Sequence, residues 1–381
     1  MARKPNILFI MTDQQRADHV GFMGNSVVQT PHLDGLAASG CVFENAWVSN
    51  PVCMPNRATI LTGRMPTAHG VIFNDRSLDW YANTFVRQLR ADGYRTALLG
   101  KSHLQHGMSR NAVVDFRGEG AVLSSEPAGW DQYEDFERYA DGLPEDPNDF
   151  YGFEKIALSI DHGARVTGHH LHWALERGAR REDLLTPHDH TAPGDKRSEE
   201  WWQIYEAPYE EQFHSTRFVT ERTQQFIQEC SEQDEPWMAL CSYPDPHHPV
   251  CPPGPWFDRH NPDDMPLPGS RHDSLEHAPA HLRIFQGVHP ANQRDWVAPC
   301  GYGNDRLLSQ AIAATYGMIE MVDDGVGQIL AQLEDLGVRD NTIIVFTSDH
   351  GDMMGDHGLF LKGFMHYRGT LQVPLVIDAP G

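Results

Sequence analysis

The residues able to do chemistry stand where apolar runs break off. Asp13 follows the run 7–11, Lys101 and His103 follow 95–99, His247 follows 237–243, and Asp349 and His350 follow 342–347. Carboxylates and imidazoles ligate divalent cations, and histidine also exchanges protons near neutrality. The chain carries a formal net charge of -23. Its long-range field therefore repels anions, and an anionic substrate needs a local cationic pocket. Each lysine or arginine among these residues is informative for that reason. Dispersed as they are, they can act together only if the fold gathers them.

The pattern of elements supplies a way to gather them. Residues 6–11 read as a buried strand, a short apolar run ending in polar residues. A helical stretch over 84–91, closed by Asp92 and Gly93, precedes a second strand over 95–99. Residues 211–233 have helical composition, and a strand over 237–243 follows the breaker Pro236. The longest helical signal covers 307–336, where Ile312, Tyr316, Ile319, Val322, Val326, Ile329 and Leu333 recur at steps of three and four before Gly337. A β-branched strand over 342–347 comes next. Strands alternating with helices predict an α/β fold with a mainly parallel sheet, whose functional groups collect at the carboxyl ends of the strands. One domain over 1–381 is expected, with a polar, weakly periodic stretch at 109–206 read as an irregular insertion near the site mouth.

Composition narrows the function. A 381-residue chain with 40% hydrophobic residues can bury a sizeable core. The acidic excess argues against nucleic acid and anionic membranes as partners. No segment approaches the roughly 20 apolar residues of a membrane span, and the run 7–11 is too short for a signal peptide. A cytoplasmic location is therefore expected. The six cysteines, Cys41, Cys53, Cys230, Cys241, Cys251 and Cys300, show no framework spacing, and free thiols are expected.

One of those cysteines stands in a distinctive setting. The segment from Cys53 through Pro55, Arg57 and Leu61-Thr62-Gly63 to Arg64 resembles the signature of the sulfatase family, Cys-x-Pro-x-Arg followed by Leu-Thr-Gly, with Asn56 where Ser or Ala is more usual. The resemblance continues in ordered blocks over 6–381. It implies an alkaline-phosphatase-like fold, a central sheet sandwiched by helices, with the small C-terminal antiparallel subdomain apparently absent because the chain stops at Gly381. It also implies that a formylglycine-generating maturation enzyme converts Cys53 to an aldehyde whose hydrate supplies the nucleophile.

The same resemblance implies a single divalent cation held by Asp13, Gln14, Asp349, His350 and the modified residue 53. Calcium is the first choice, but Gln14 replaces the usual second acidic residue and His350 brings a nitrogen, which opens the choice to manganese or magnesium. Arg57 and the segment Gly100-Lys101-Ser102-His103 match family positions that hold the hydrate, with His103 taking a proton. Pro246-His247-His248-Pro249 matches the segment whose histidine contacts the substrate and protonates the leaving group. His247 is the residue selected, with His248 in reserve. Lys362, thirteen residues after Asp349, matches a sulfate-contacting lysine, and Asn74 matches a polar substrate contact.

The expected activity is metal-dependent hydrolysis of a small-molecule sulfate ester. One alternative is hydrolysis of a phosphonate monoester or phosphodiester, which Gln14 and His350 favour and Lys101 and His103 disfavour. The other is a catalytically silent anion-binding relative. Asp352, Asp356 and His357 are read as ordering the Gly-rich loop, and His169, His170, His188 and His190 lack the spacing of a second metal site. The sequence leaves the alcohol half of the substrate and a homo-oligomeric state open.

Overall fold

Seven short strands form the central sheet among the described residues, and the apolar runs supply its middle. In the computed structural model, residues 4–74, 76–106, 126–187, 189, 191, 196–292 and 298–380 are described. The strands are β1 (Asn6–Thr12), β2 (Cys41–Val42), β3 (Arg95–Gly100), β4 (Lys155–Leu158), β5 (Trp237–Ser242), β6 (Thr342–Ser348) and β7 (Leu375–Asp378). Their order is β2-β7-β6-β1-β5-β3-β4. The five strands from β6 to β4 are parallel, whereas β7 runs antiparallel to β6 and to β2. An antiparallel edge on a largely parallel sheet is common in α/β proteins.

Both faces of the sheet are covered, which explains why its central strands are apolar throughout. Leu8 and Ile10 of β1 and Ala97 and Leu99 of β3 join one core, with Phe218 and Phe226 of α5 (Ser215–Glu232) and Val322, Val326 and Ile329 of α6 (Asp305–Asp335). The alternate residues Met11 and Leu98 enter the opposite core, with Met54, Ala58 and Leu61 of α2 (Cys53–Thr62) and Val86 of α3 (Phe85–Ala91). That alternation is the two-residue period of a strand. The remaining labelled helices are α1 (Pro31–Ser39) and α4 (His169–Glu176).

The predicted elements appear with small shifts. Thr84 proves to be the N-cap of α3, accepting from Arg87 N at 3.2 Å. The helix expected over 211–233 is divided into a 3-10 turn at Glu211–Phe213 and α5, with His214 capping α5 through Nδ1. The long helix begins two residues early at Asp305 because Asn304 accepts from Leu307 N at 3.0 Å.

The stretch 109–206, expected to be irregular, contributes β4 at the sheet edge, α4, and buried Tyr139, Phe150, Tyr151, Phe153, Trp173 and Tyr205. Its residues 109–125, together with His188 and His190, lie outside the described residues. A four-residue edge strand is too short to register as a period, and aromatics packed from turns leave no pattern. All six cysteines are free thiols. No helix among the described residues is long and apolar enough to cross a membrane.

Candidate active site

Sheet register builds the site. Thr12 pairs with Ser348, so Asp13 and Asp349 leave the sheet side by side, and both are fully buried. Gly100 and Met11 both pair with Ser242, which sets Lys101 on the other side of Asp13. Lys101 N donates to Ser242 O at 2.8 Å. Gly100 sits at φ +111°, and a Cβ there would fall 1.9 Å from the Ser242 carbonyl oxygen, so glycine is required for that approach.

Cys53 is the first residue of α2, and its Sγ points into the space between the strand ends. It lies 3.1 Å from His350 Nε2, 3.4 Å from Lys362 Nζ and 3.7 Å from Asp13 Oδ1. One turn on, Arg57 is buried. Its Nε donates to Asp349 Oδ2 at 2.7 Å, its Nη1 to Ser242 Oγ at 2.9 Å and the Lys101 carbonyl at 3.0 Å, and its Nη2 lies 3.5 Å from Asp13 Oδ2. Asn56 braces the same helix, donating to Asp349 O at 2.6 Å and accepting from Ser49 N at 3.2 Å. The residue that departs from the family motif is thus a strut between α2 and the β6 loop.

The outer oxygens of the two aspartates meet cations, Lys101 at Asp13 Oδ2 and Arg57 at Asp349 Oδ2. The inner oxygens converge: His350 Nε2 lies 3.5 Å from Asp13 Oδ1 and 3.6 Å from Asp349 Oδ1. His350 Nδ1 donates to the Gly351 carbonyl at 2.9 Å, which fixes the ring so that Nε2 faces inward. Asp13, Cys53, Asp349 and His350 each present a ligand atom, all within 4.8 Å of one another. Gln14, at φ +65°, completes this wall. Its Oε1 accepts from Lys362 Nζ at 2.5 Å, and its Nε2 donates to Asp352 Oδ2 at 2.5 Å and His248 Nδ1 at 2.9 Å. Asp349 Oδ1 also accepts from Gln14 N at 3.1 Å, and two carboxylates, a thiol and an imidazole nitrogen that converge this closely suit a divalent cation.

Electrostatics follow from this crowding. Burial opposes the charge on Asp13, but Lys101, Lys362 and Arg57 outweigh it and hold the carboxyl well below its ordinary range. Burial and Asp13 also oppose a Cys53 thiolate, yet Lys101, Lys362 and His350 prevail and push the thiol pKa well down. Burial works against a charged His350, but Asp349 outweighs it and raises the imidazole pKa. Burial, then His162, drive His247 the other way, so it is held neutral.

The histidines form a column. His247 donates from Nδ1 to the His248 carbonyl, and the two rings stack with centroids 4.1 Å apart. On the other side of His247 lies His162, at 3.9 Å and 29°. His103, at φ +54°, stands edge-on to His162 at 6.1 Å, and its buried Nδ1 lacks a partner among the described residues. His162 escaped sequence reasoning because it lies in the weakly patterned stretch, on the loop after β4. Its signal was only its place just beyond a strand that was itself not predicted.

Asn74 accepts from Met54 N at 3.0 Å, satisfying a free N–H in the first turn of α2, so its carboxamide oxygen is engaged by the protein. Asp352 accepts from Met354 N and Leu361 N, Asp356 pairs with Arg16, and His357 with Asp273, which orders the loop around Lys362. His170 is a core histidine bonded to the Phe213 carbonyl at 2.7 Å, and His169 pairs with Asp146 at 3.0 Å.

A largely parallel sheet whose strand ends gather a buried cluster of possible cation ligands around one cysteine has its site where α/β proteins place their ligand sites. The sulfatase family model matches residues 5–381, and the chain belongs to that family. It is similar to an arylsulfatase of Clostridium perfringens, 31% identical over 383 residues that cover 99% of this chain and 69% of that protein. It also resembles a multifunctional alkaline phosphatase superfamily protein of Trinickia caryophylli, 28% identical over 404 residues, 100% of this chain and 69% of that one. Among solved structures, a phosphonate monoester hydrolase of Agrobacterium radiobacter superposes with a TM-score of 0.72 at 27% identity, covering 99% of this chain and 68% of the other.

Proposed function

We propose that the protein hydrolyses small-molecule sulfate esters, using a nucleophile made by oxidation of Cys53 to formylglycine by a maturation enzyme. The observation that carries this reading is the placement of Cys53 Sγ, buried at the start of α2, against His350, Lys362 and Asp13. A thiol would form a bond to sulfur that is hard to undo. A hydrated aldehyde offers one hydroxyl to attack and a second whose deprotonation expels the sulfate.

In this reading Asp13, Gln14, Asp349 and His350 hold a divalent cation, calcium first with manganese or magnesium as alternatives. Such a cation would lower the pKa of the attacking hydroxyl and stabilise charge on the transferring group. Arg57, Lys101 and Lys362 neutralise the sulfuryl oxygens, a preorganised field that we take as the main source of rate. The bound anion favours the protonated ring, so His247 takes up a proton at Nε2 with the substrate in place and gives it to the departing oxygen. His103 takes the proton of the second hydroxyl, a role that its unpartnered buried Nδ1 supports.

A second reading keeps the site and exchanges sulfur for phosphorus. It is favoured by Gln14 and His350 and by the fold likeness to the phosphonate monoester hydrolase. Two measurements decide. Peptide mass analysis of the Cys53 segment, on protein made in a maturation-competent host, is expected to show loss of sulfur and gain of a carbonyl. An unmodified thiol overturns the nucleophile. Turnover of an aryl sulfate is expected to exceed that of an aryl phosphonate and a phosphodiester, and the reverse order assigns the second reading.

A further inference from the structure

Lys101 is buried, and two of its three N–H groups are accounted for: one meets Asp13 Oδ2 and one meets His162 Nε2. A lysine ammonium rotates freely about its last bond unless its partners fix it, and it has three donors and no acceptor. Asp13 alone would set that rotation but leave the head of the long chain free to swing about the one hydrogen bond. His162, an acceptor in a second, fixed direction, holds Nζ in place and so sets where the third N–H points.

His162 is itself firmly held. Its backbone N–H donates to Asp161 Oδ1 at 2.9 Å, Asp161 Oδ2 lies 3.2 Å from Arg165 Nε, and the ring is packed against His247 at 3.9 Å. The ring is almost entirely enclosed, at 7% exposure. It is therefore rigid enough to orient a neighbour, and it touches both a cation and an acid to which the proposed function gives roles.

We infer that His162 is a positioning residue, which uses Nε2 to aim Lys101 at the sulfuryl oxygens of the substrate and uses its ring face to fix the plane of His247. The inference rests on the proposed function for the identity of the anion. It needs no proton to move on or off His162.

Two substitutions separate its two contacts. His162→Phe keeps an aromatic face for His247 and removes the acceptor, and His162→Gln keeps an acceptor and removes the face. For His162→Phe, kcat/KM on an aryl sulfate is expected to fall about 100-fold, the scale of an ångström-sized misplacement of a reacting group. Calorimetric affinity for inorganic sulfate is expected to fall about tenfold, the loss of one charge-assisted hydrogen bond. His162→Gln is expected to recover both to within about fivefold of the unaltered protein. A merely structural role would not produce this order, since phenylalanine replaces the packing better than glutamine does.

The inference is overturned if His162→Phe stays within about threefold of the unaltered protein on both measurements, or if His162→Gln is as impaired as His162→Phe. Sulfate binding requires no turnover. If the unaltered protein hydrolyses neither sulfate nor phosphonate esters, the proposed function fails, and the binding series still decides the place of His162.

Discussion

Glu320, midway along α6, and the Asp13 and Asp349 pair at the strand ends are all withdrawn from water, at 3%, 0% and 0% exposure, yet they are completed in different ways. Glu320 receives Gln29 N at 2.8 Å, His260 Nε2 at 2.8 Å and Arg259 Nε at 2.7 Å. Burial opposes its charge, but these donors prevail and hold its pKa below the usual value. At the strand ends the outer oxygens are likewise paired, but Asp13 Oδ1 faces His350 Nε2 and Cys53 Sγ, and Asp349 Oδ1 accepts only the Gln14 N–H and faces His350 Nε2. There the two carboxylates also stand among three basic side chains, Arg57, Lys101 and Lys362. A buried carboxylate whose lone pairs end on N–H groups joins parts of a fold. One whose oxygen faces other ligand atoms is suited to hold a cation, the role proposed for Asp13 and Asp349.

The contrast breaks most sharply at residue 53. Cys53→Ser is expected to reduce aryl sulfate turnover by about 10⁴-fold or more, as losing a nucleophile does elsewhere, with the melting temperature nearly unchanged. Activity retained within tenfold of the unaltered protein would remove Cys53 from the chemistry. Glu320→Ala should do the opposite. Denaturant unfolding is expected to show a loss of about 2–3 kcal/mol, because the Gln29 N–H and the His260 ring lose their acceptor, while kcat/KM per folded molecule holds. A fall in kcat/KM with stability intact would erase the distinction between the two regions.

The smallest effect sharpens the comparison through pH. Burial pushes His170 down to about 3, and its Nε2 hydrogen bond to the Phe213 carbonyl only partly offsets this. The unfolded chain takes up a proton there at about 6.5, and the folded chain does not. Its contribution to stability is therefore complete above about 6.5 and is lost as pH falls toward about 3. Between pH 7.5 and 5.5 the unaltered protein is expected to lose about 1.4 kcal/mol more than His170→Gln. Equal losses in denaturant titrations at the two pH values would show that residue 170 takes up its proton equally in both states.

Much of the fold was legible because its central elements are long or wholly apolar. β1, β3, β5, β6 and α6 could be read from apolar runs and three-to-four spacing alone, as could α3 with its closing Asp92 and Gly93. β4 was not, because the four residues Lys155–Leu158 lie in a polar stretch and owe their strand state to pairing with Ala97 through Gly100. The division of 211–233 into a turn and a helix was also hidden, since it depends on His214 capping α5. In the site, the structure gathers Asp13, Gln14, Cys53, Arg57, Lys101, Asp349, His350 and Lys362 around one space. Asn74 stands beside them as a partner of α2, and His103 stands beyond His162.

The sequence by itself determined which groups could react, because residue type and placement after apolar strands are local properties. It also determined the parallel α/β character, which follows from the alternation of two hydrophobic periods. Only the tertiary structure decided which oxygen of each aspartate faces a cation and which faces the cluster, that Asn56 and Asn74 brace α2, and that His162 joins the histidine column. Those outcomes depend on sheet register and on side-chain directions set by packing, which involve residues hundreds of positions apart and leave no trace in local spacing.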